Sequence, residues 1–232
     1  MRRNMVTVSV LVGILAGGAA GDKLTLPGNL SVPIDKVIGF KDGEVVYTTA
    51  SGANKTRDLK SIVQISIDGQ EVFNQAEQLR VEKKGDDAAA SYDGTIASGE
   101  TPAWLAQLAR YRKVEVLGKD RSIALAVSTW LEIVATDESS NAVMLLPRDL
   151  PGKGDERNAQ AITALKTRMG EIKSNLARQE ARKLLTAIYR LEGKDDEADK
   201  VAGQLTGGSP RTGPDGIPDK AAVGTDAAPS AG

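Results

Sequence analysis

The chain has 232 residues, with 30 Lys and Arg against 31 Asp and Glu and a formal net charge of −1, so it lacks the basic excess that nucleic acid selects. It contains neither Cys nor His, which removes disulfides, thiolate nucleophiles, cysteine and histidine metal sites, and every Ser-His or Cys-His catalytic arrangement. Hydrophobic residues make up 41% of the chain and aromatic residues only 3%, so the core has to be built from Leu, Ile, Val and Ala, a set suited to close helix packing.

At the N-terminus, Arg2 and Arg3 precede an apolar run over 5–16, followed by Gly17-Gly18-Ala19-Ala20-Gly21 and then Asp22-Lys23. A charged start, an apolar run of secretory length and a small-residue zone predict a signal peptide over 1–21, cleaved after Ala20 or Gly21. The run is too short to span a bilayer comfortably as a permanent helix. The expected route is general secretion to the periplasm or cell envelope, with no stable membrane span after cleavage. Without cysteine there is no lipoprotein anchor.

Residues 22–70 follow a period of two broken by turn residues. Leu24 and Leu26 alternate before Pro27-Gly28-Asn29, then come Val32 and Ile34, then Ile38 and Phe40. Asp42-Gly43 separates Phe40 from Val45 and Tyr47, a strong hairpin signal. A turn at Ser51-Gly52-Ala53-Asn54 follows, and Val63, Ile65 and Ile67 share one face. Five short strands in so short a stretch predict a small, strongly bent barrel of SH3-like or Sm-like type.

From Glu71 the period becomes helical, so the fold class is α+β with a helical region over 71–205. Phe73, Ala76 and Leu79 mark a first helix that ends at Gly85, and Asp86 or Asp87 caps a second. Thr101-Pro102 opens a third, carrying Trp104, Leu105, Leu108 and Tyr111. Gly118 ends it, and Asp120 caps a fourth with Ile123, Val127, Trp130, Leu131 and Val134 as its buried stripe. In the loop over 136–154, Val143-Met144-Leu145-Leu146 is too apolar for solvent and should fold back. Asp155 caps a long helical stretch with possible bends at Gly170 and Ser174-Asn175. Gly193 stops it, and Asp195 or Asp196 caps a last helix through Leu205. The tail over 206–232 carries Pro210, Pro214, Pro218 and Pro229 among Gly, Ala and Ser, a composition that predicts disorder.

Three places share one device: Gly85-Asp86-Asp87 leads to Ala90, Gly118-Lys119-Asp120 to Ile123, and Gly193-Lys194-Asp195 to Ala198. Each resembles the turn between the two helices of a tetratricopeptide repeat. These turns, with residues 59–69 running directly into Ala76-Glu77, give a layout that resembles a group of exported planctomycete-type bacterial proteins. Those proteins combine a signal peptide, a small β-barrel and tetratricopeptide-like helical hairpins. The resemblance covers about 22–205 and implies a binding or scaffolding role in the envelope, with no catalytic residues to carry over.

A search for chemistry finds little. Gly152-Lys153-Gly154 lacks the Gly-Lys-Ser/Thr ending of a phosphate loop. The acidic groups Asp86-Asp87, Asp155-Glu156 and Asp195-Asp196-Glu197 stand where helices begin, where capping and the helix dipole favour acids. Asp215-Gly216-Ile217-Pro218-Asp219 has the end of a calcium loop, but Arg211 and Gly213 fill earlier ligand positions. The expected function is therefore an exported, non-enzymatic scaffold without cofactor or metal that holds a protein partner on its helical surface. The alternative is a hydrolase that uses carboxylates alone on envelope glycans. A nucleic-acid module on an Sm-like barrel is disfavoured by charge and export. In tetratricopeptide-like pairs the first helices line the inner curve, here 71–84, 101–117 and the long helix ending near Glu192. They offer Asn74, Gln78, Trp104, Gln107, Arg110 and Arg182 to a partner.

Overall fold

A computed structural model of the chain describes residues 21–119 and 122–206. The expected signal peptide, the capping role of Asp120, the disordered tail and the Asp215–Asp219 motif lie outside the described residues.

Among the described residues, six strands form two antiparallel sheets. Strands β1 (Lys23–Leu26), β2 (Leu30–Val32), β3 (Lys36–Lys41), β4 (Glu44–Thr48), β5 (Asn54–Asp58) and β6 (Gln64–Ser66) are arranged in the orders β2-β1-β6 and β3-β4-β5. Leu24 faces Val32 on one side and Ile65 on the other. The expected closed barrel is corrected: among the described residues there are two separate three-stranded sheets, because the outer edge of β6 meets helix side chains rather than a further strand. The sequence also predicts five strands where six are found. The missing one, β5, reads Asn-Lys-Thr-Arg-Asp and is exposed at four of its five positions, so it carries no apolar alternation to announce it. The Asp42-Gly43 hairpin is as predicted. Both residues have positive φ, 54° and 81°, as a two-residue turn matched to strand twist requires. Gly43 is doubly fixed, since a Cβ there would stand 2.7 Å from Asn141 Cβ.

Among the described residues, eight helices follow: α1 (Glu71–Val81), α2 (Gly85–Ala97), α3 (Ala103–Lys119), α4 (Ile123–Thr136), α5 (Ser140–Met144), α6 (Glu156–Arg168), α7 (Asn175–Leu191) and α8 (Asp195–Thr206). Consecutive helices pack on each other from α1 to α4, then α4 on α6 and α7 on α8. The long helical stretch breaks where Gly170 and Ser174 suggested, at a 3-10 turn over Met169–Glu171 and at the Ser174 N-cap, whose hydroxyl accepts from Ala177 N–H. The apolar stretch 143–146 does fold back: Val143 and Leu146 are buried, and Trp130 Nε1 donates to the Ala142 carbonyl at 3.0 Å. Met144 in the same stretch is exposed.

The repeated turn exists, but in a different register from the one read in sequence. The Lys84, Ser122 and Lys194 N–H groups donate to the Leu79, Leu117 and Tyr189 carbonyls, the six-to-one bond of a Schellman ending. Each of those three residues then accepts from the N–H of Ala88, Ala126 or Ala198, all fully buried. The positive-φ residue that matches Gly193 is therefore Lys83, at φ 61°, and Gly85 instead starts α2. The expected match of Ala90 to Ala198 shifts to Ala88, because helix ending is a matter of backbone bonds and any residue that tolerates φ > 0 can supply it. Gly118 likewise lies within α3.

One apolar core runs through sheets and helices, from Leu24, Val45 and Ile65 through Phe73, Leu108 and Trp130 to Leu165 and Ile188. Phe40 meets Tyr111 edge-on at 4.8 Å, which joins β3 to α3. Ile65 is fully buried, as the alternation of its strand predicts. Ile65→Asp places a carboxylate in this core without a partner and should lower stability by several kcal/mol, on the order of 3 or more. A chemical-denaturation midpoint equal to wild type would show that β6 does not pack as described.

Candidate functional site

The site grows out of the way β6 is held. Its inner side pairs with β1. On the outer side, α1 presents Asn74, Glu77 and Arg80 at intervals of three, one face of the helix. Asn74 Oδ1 accepts from Ile67 N–H at 2.8 Å, and Asn74 Nδ2 donates to Ile67 O at 2.8 Å. Glu77 Oε2 accepts from Ile65 N–H at 2.9 Å. Arg80 Nη2 donates to Val63 O, and Arg112 Nη2, from α3, donates to Ile62 O at 2.8 Å. Four side chains thus bind backbone groups in β6 and in the residues just before and after it.

Glu77 is fully buried and its carboxylate is the hub. Tyr92 OH donates to Oε1 at 2.5 Å, while Arg80 Nε and Nη2 donate to Oε1 and Oε2 at 3.1 and 3.0 Å. Arg112 Nε stands 3.3 Å from Oε1, an ionic contact rather than a hydrogen bond. Burial alone raises the Glu77 pKa. The charges of Arg112 and Arg80, with hydrogen bonds from Arg80 and Tyr92, outweigh it and hold the group below its ordinary value. Burial also pushes the Tyr92 hydroxyl up, and the Glu77 charge adds to that, so the phenol stays a donor. Arg112 reaches Glu115 at 2.9 Å, and Arg80 lies 4.0 Å from the same carboxylate.

Outside this network opens a cavity of about 500 Å³. Its charged lining is Lys60, Arg80, Lys83, Arg112 and Glu115, and its apolar lining is Ile62, Val63, Val81 and Val116. With Glu77 counted behind the wall, four cations face two carboxylates. The arginines are committed to carbonyls and to those carboxylates. Lys60 and Lys83 are exposed and carry no ion pair among the described residues, so the spare positive charge is theirs. A second cavity of about 200 Å³, lined by Gly43, Asp58, Leu59, Tyr111, Asn141 and Leu145, shares Lys60 and Glu115 with the first.

None of the six residues expected to hold a partner lines the larger cavity. Asn74 is consumed by Ile67. Gln78 Nε2 donates to Glu82 at 2.9 Å, and Arg110 Nε donates to Glu132 at 3.3 Å. Trp104 lines a separate cleft with Lys36, Ile38 and Gln70. Gln107 and Arg182 are half-buried, and Gln107 Nε2 and Arg182 Nε have no hydrogen-bond partner among the described residues. The acidic groups sit in the first turns of α2, α6 and α8 or, as Asp155, at an N-cap. Hydrogen bonds from Arg157 hold Asp155 down to about 2. The Gly154 amide is bound by the Glu192 carboxylate at 3.0 Å, an internal anion where a phosphate loop would take an external one.

Sequence reasoning missed Glu77, Arg80 and Arg112. A signal existed for Arg112, which falls four residues from both Leu108 and Val116 on the buried stripe of α3. A charge at such a position needs a partner.

Removing the Glu77 charge leaves the buried Arg112 with the rim carboxylate of Glu115 and takes away its buried one. Glu77→Gln should cost about 3–5 kcal/mol at neutral pH. Because the folded pKa is depressed, this stabilisation is fully present above the ordinary value of 4.5 and is lost as pH falls through the lower folded value. The wild-type minus variant difference in unfolding free energy should be level from neutral pH down to about 4.5 and shrink progressively below it, until the lower folded value is passed. A difference that grows on acidification contradicts the assignment. Comparisons of the chain with protein-family models, with curated proteins and with solved structures found no match.

Proposed function

We propose that this chain is an exported binding protein of the cell envelope that holds an acidic segment of a protein partner in the cation-lined cavity beside β6. The observation that carries this is the excess of two positive charges over an apolar floor, with Lys60 and Lys83 unengaged by carboxylates among the described residues. A cavity of about 500 Å³ is in the size range of small-ligand and side-chain sites, and its charge selects an anion. The groups around it are Lys, Arg and a carboxylate held by arginine, a set that binds and orients charge. This supports a scaffold without chemistry of its own. Delivery by the N-terminal export signal belongs to the same reading, as does kinship of the α1–α2 and α3–α4 pairs with tetratricopeptide-like hairpins.

A photo-crosslinking residue in place of Val81, which is exposed at the cavity rim, should trap a partner in envelope preparations. Its adduct should disappear when Lys60 and Lys83 are both changed to Glu. Adducts from position 110 but none from position 81 would move the binding surface to the α3–α4 face and overturn the proposal.

A further inference from the structure

The two cavities share the lining residues Lys60 and Glu115, and Lys60 lies in the 3-10 turn over Leu59–Ser61. They differ in charge. The larger holds Lys60, Arg80, Lys83 and Arg112 against Glu115, while the smaller holds Lys60 against Asp58 and Glu115. Glu115 is already paired with Arg112 and Arg80, so a carboxylate is welcome in the first chamber, while in the second it meets Asp58 with Lys60 as the one cation among the described lining residues. The second is lined by Leu59, Tyr111, Leu145 and the backbone-tight Gly43, and its volume of about 200 Å³ suits one aliphatic side chain. Its walls are firm. Tyr111 OH donates to Asp137 at 2.6 Å, Asn141 Nδ2 donates to Asp42 O at 2.6 Å, and Asp58 Oδ1 accepts from Lys60 N–H at 2.8 Å.

We infer that the two chambers form one groove with two unlike subsites that recognises an extended peptide bearing acidic side chains followed, within a few residues, by one aliphatic side chain. This rests on the proposed binding role of the cationic cavity and adds its specificity. The acids lie against Lys60 and Lys83, and the aliphatic side chain drops past Lys60 and Glu115 onto Leu59 and Leu145. The opposite placement takes the acids away from Lys83 and sets them against Asp58, so the difference in charge also fixes the direction in which the segment lies. An extended segment suits the site because side chains two residues apart point the same way.

The test uses acetylated and amidated six-residue peptides containing a Glu-Glu pair and a Leu placed one, two or three positions away, each compared with its Leu→Ser counterpart by fluorescence polarisation. At one spacing, the Leu peptide should bind about tenfold more tightly than the Ser peptide, the gain expected from burying one aliphatic side chain. Leu145→Phe, which narrows the second chamber, should abolish that preference. A melting curve checks that this variant is folded, and the peptide comparison on wild type stands without it. If acidic peptides bind equally with Leu or Ser at every spacing, the two-subsite inference is overturned while the cationic-cavity reading survives. If Lys60→Ala and Lys83→Ala leave all binding unchanged, both are overturned.

Discussion

A strand edge left without a partner has to dispose of its backbone donors and acceptors, because each buried group left unsatisfied costs about 1–3 kcal/mol. Strand β6 is such an edge, and its outer side is buried under α1. The chain satisfies it with side chains. Asn74 clasps Ile67, Glu77 takes the Ile65 amide, and Arg80 and Arg112 take the Val63 and Ile62 carbonyls. Much of the surrounding structure follows from that choice. A carboxylate buried to reach one amide requires cations beside it, which is why Arg112 stands on an otherwise apolar stripe. The two arginines drawn inward form part of the cavity wall, where Glu115 pairs with both, and Lys60 and Lys83 add the spare positive charge. The cavity wall is thus a consequence of how the sheet is joined to the helices.

The same arrangement explains why the sheets remain two. A small barrel closes when its last strand pairs onward, and β6 cannot do so while α1 occupies its outer edge. Side-chain capping also protects that edge from intermolecular pairing. The other sheet is managed differently: β5 is a polar edge strand rich in charge, a composition that discourages association.

How much of this was legible in the sequence depends on what carried each signal. Period-two and helical periodicity are written in Leu24, Ile65, Phe73, Trp130 and their neighbours, so the order of strands and helices, the Asp42-Gly43 hairpin, the Ser174 break and the burial of Ile65 could all be read. The polar strand β5 had no such signal. The repeated turn was detected but misregistered, since Lys83 fills a position that sequence reasoning assigns to glycine. The site was illegible for a related reason. Glu77 and Arg80 look like ordinary surface charges of a helix until the fold brings them to Ile65 and Val63, and only Arg112, set on an apolar stripe, gave a sign of burial. Conversely, Asn74 and Arg110 looked available to a partner, and the structure engages the first with Ile67 and the second with Glu132. Polar residues advertise their chemistry but not their commitments.

The central claim is that side chains of α1 stand in for a missing strand along β6. Amide hydrogen exchange of Ile65 and Ile67, measured by NMR in wild type and Glu77→Gln under native conditions, tests it most directly. The Ile65 amide is bound by Glu77 and the Ile67 amide by Asn74. The account predicts that, beyond the general loss of stability shared by all amides, exchange at Ile65 accelerates well above that at Ile67. Equal acceleration at the two positions, or an Ile65 amide that keeps its protection relative to the rest of the core, would contradict it.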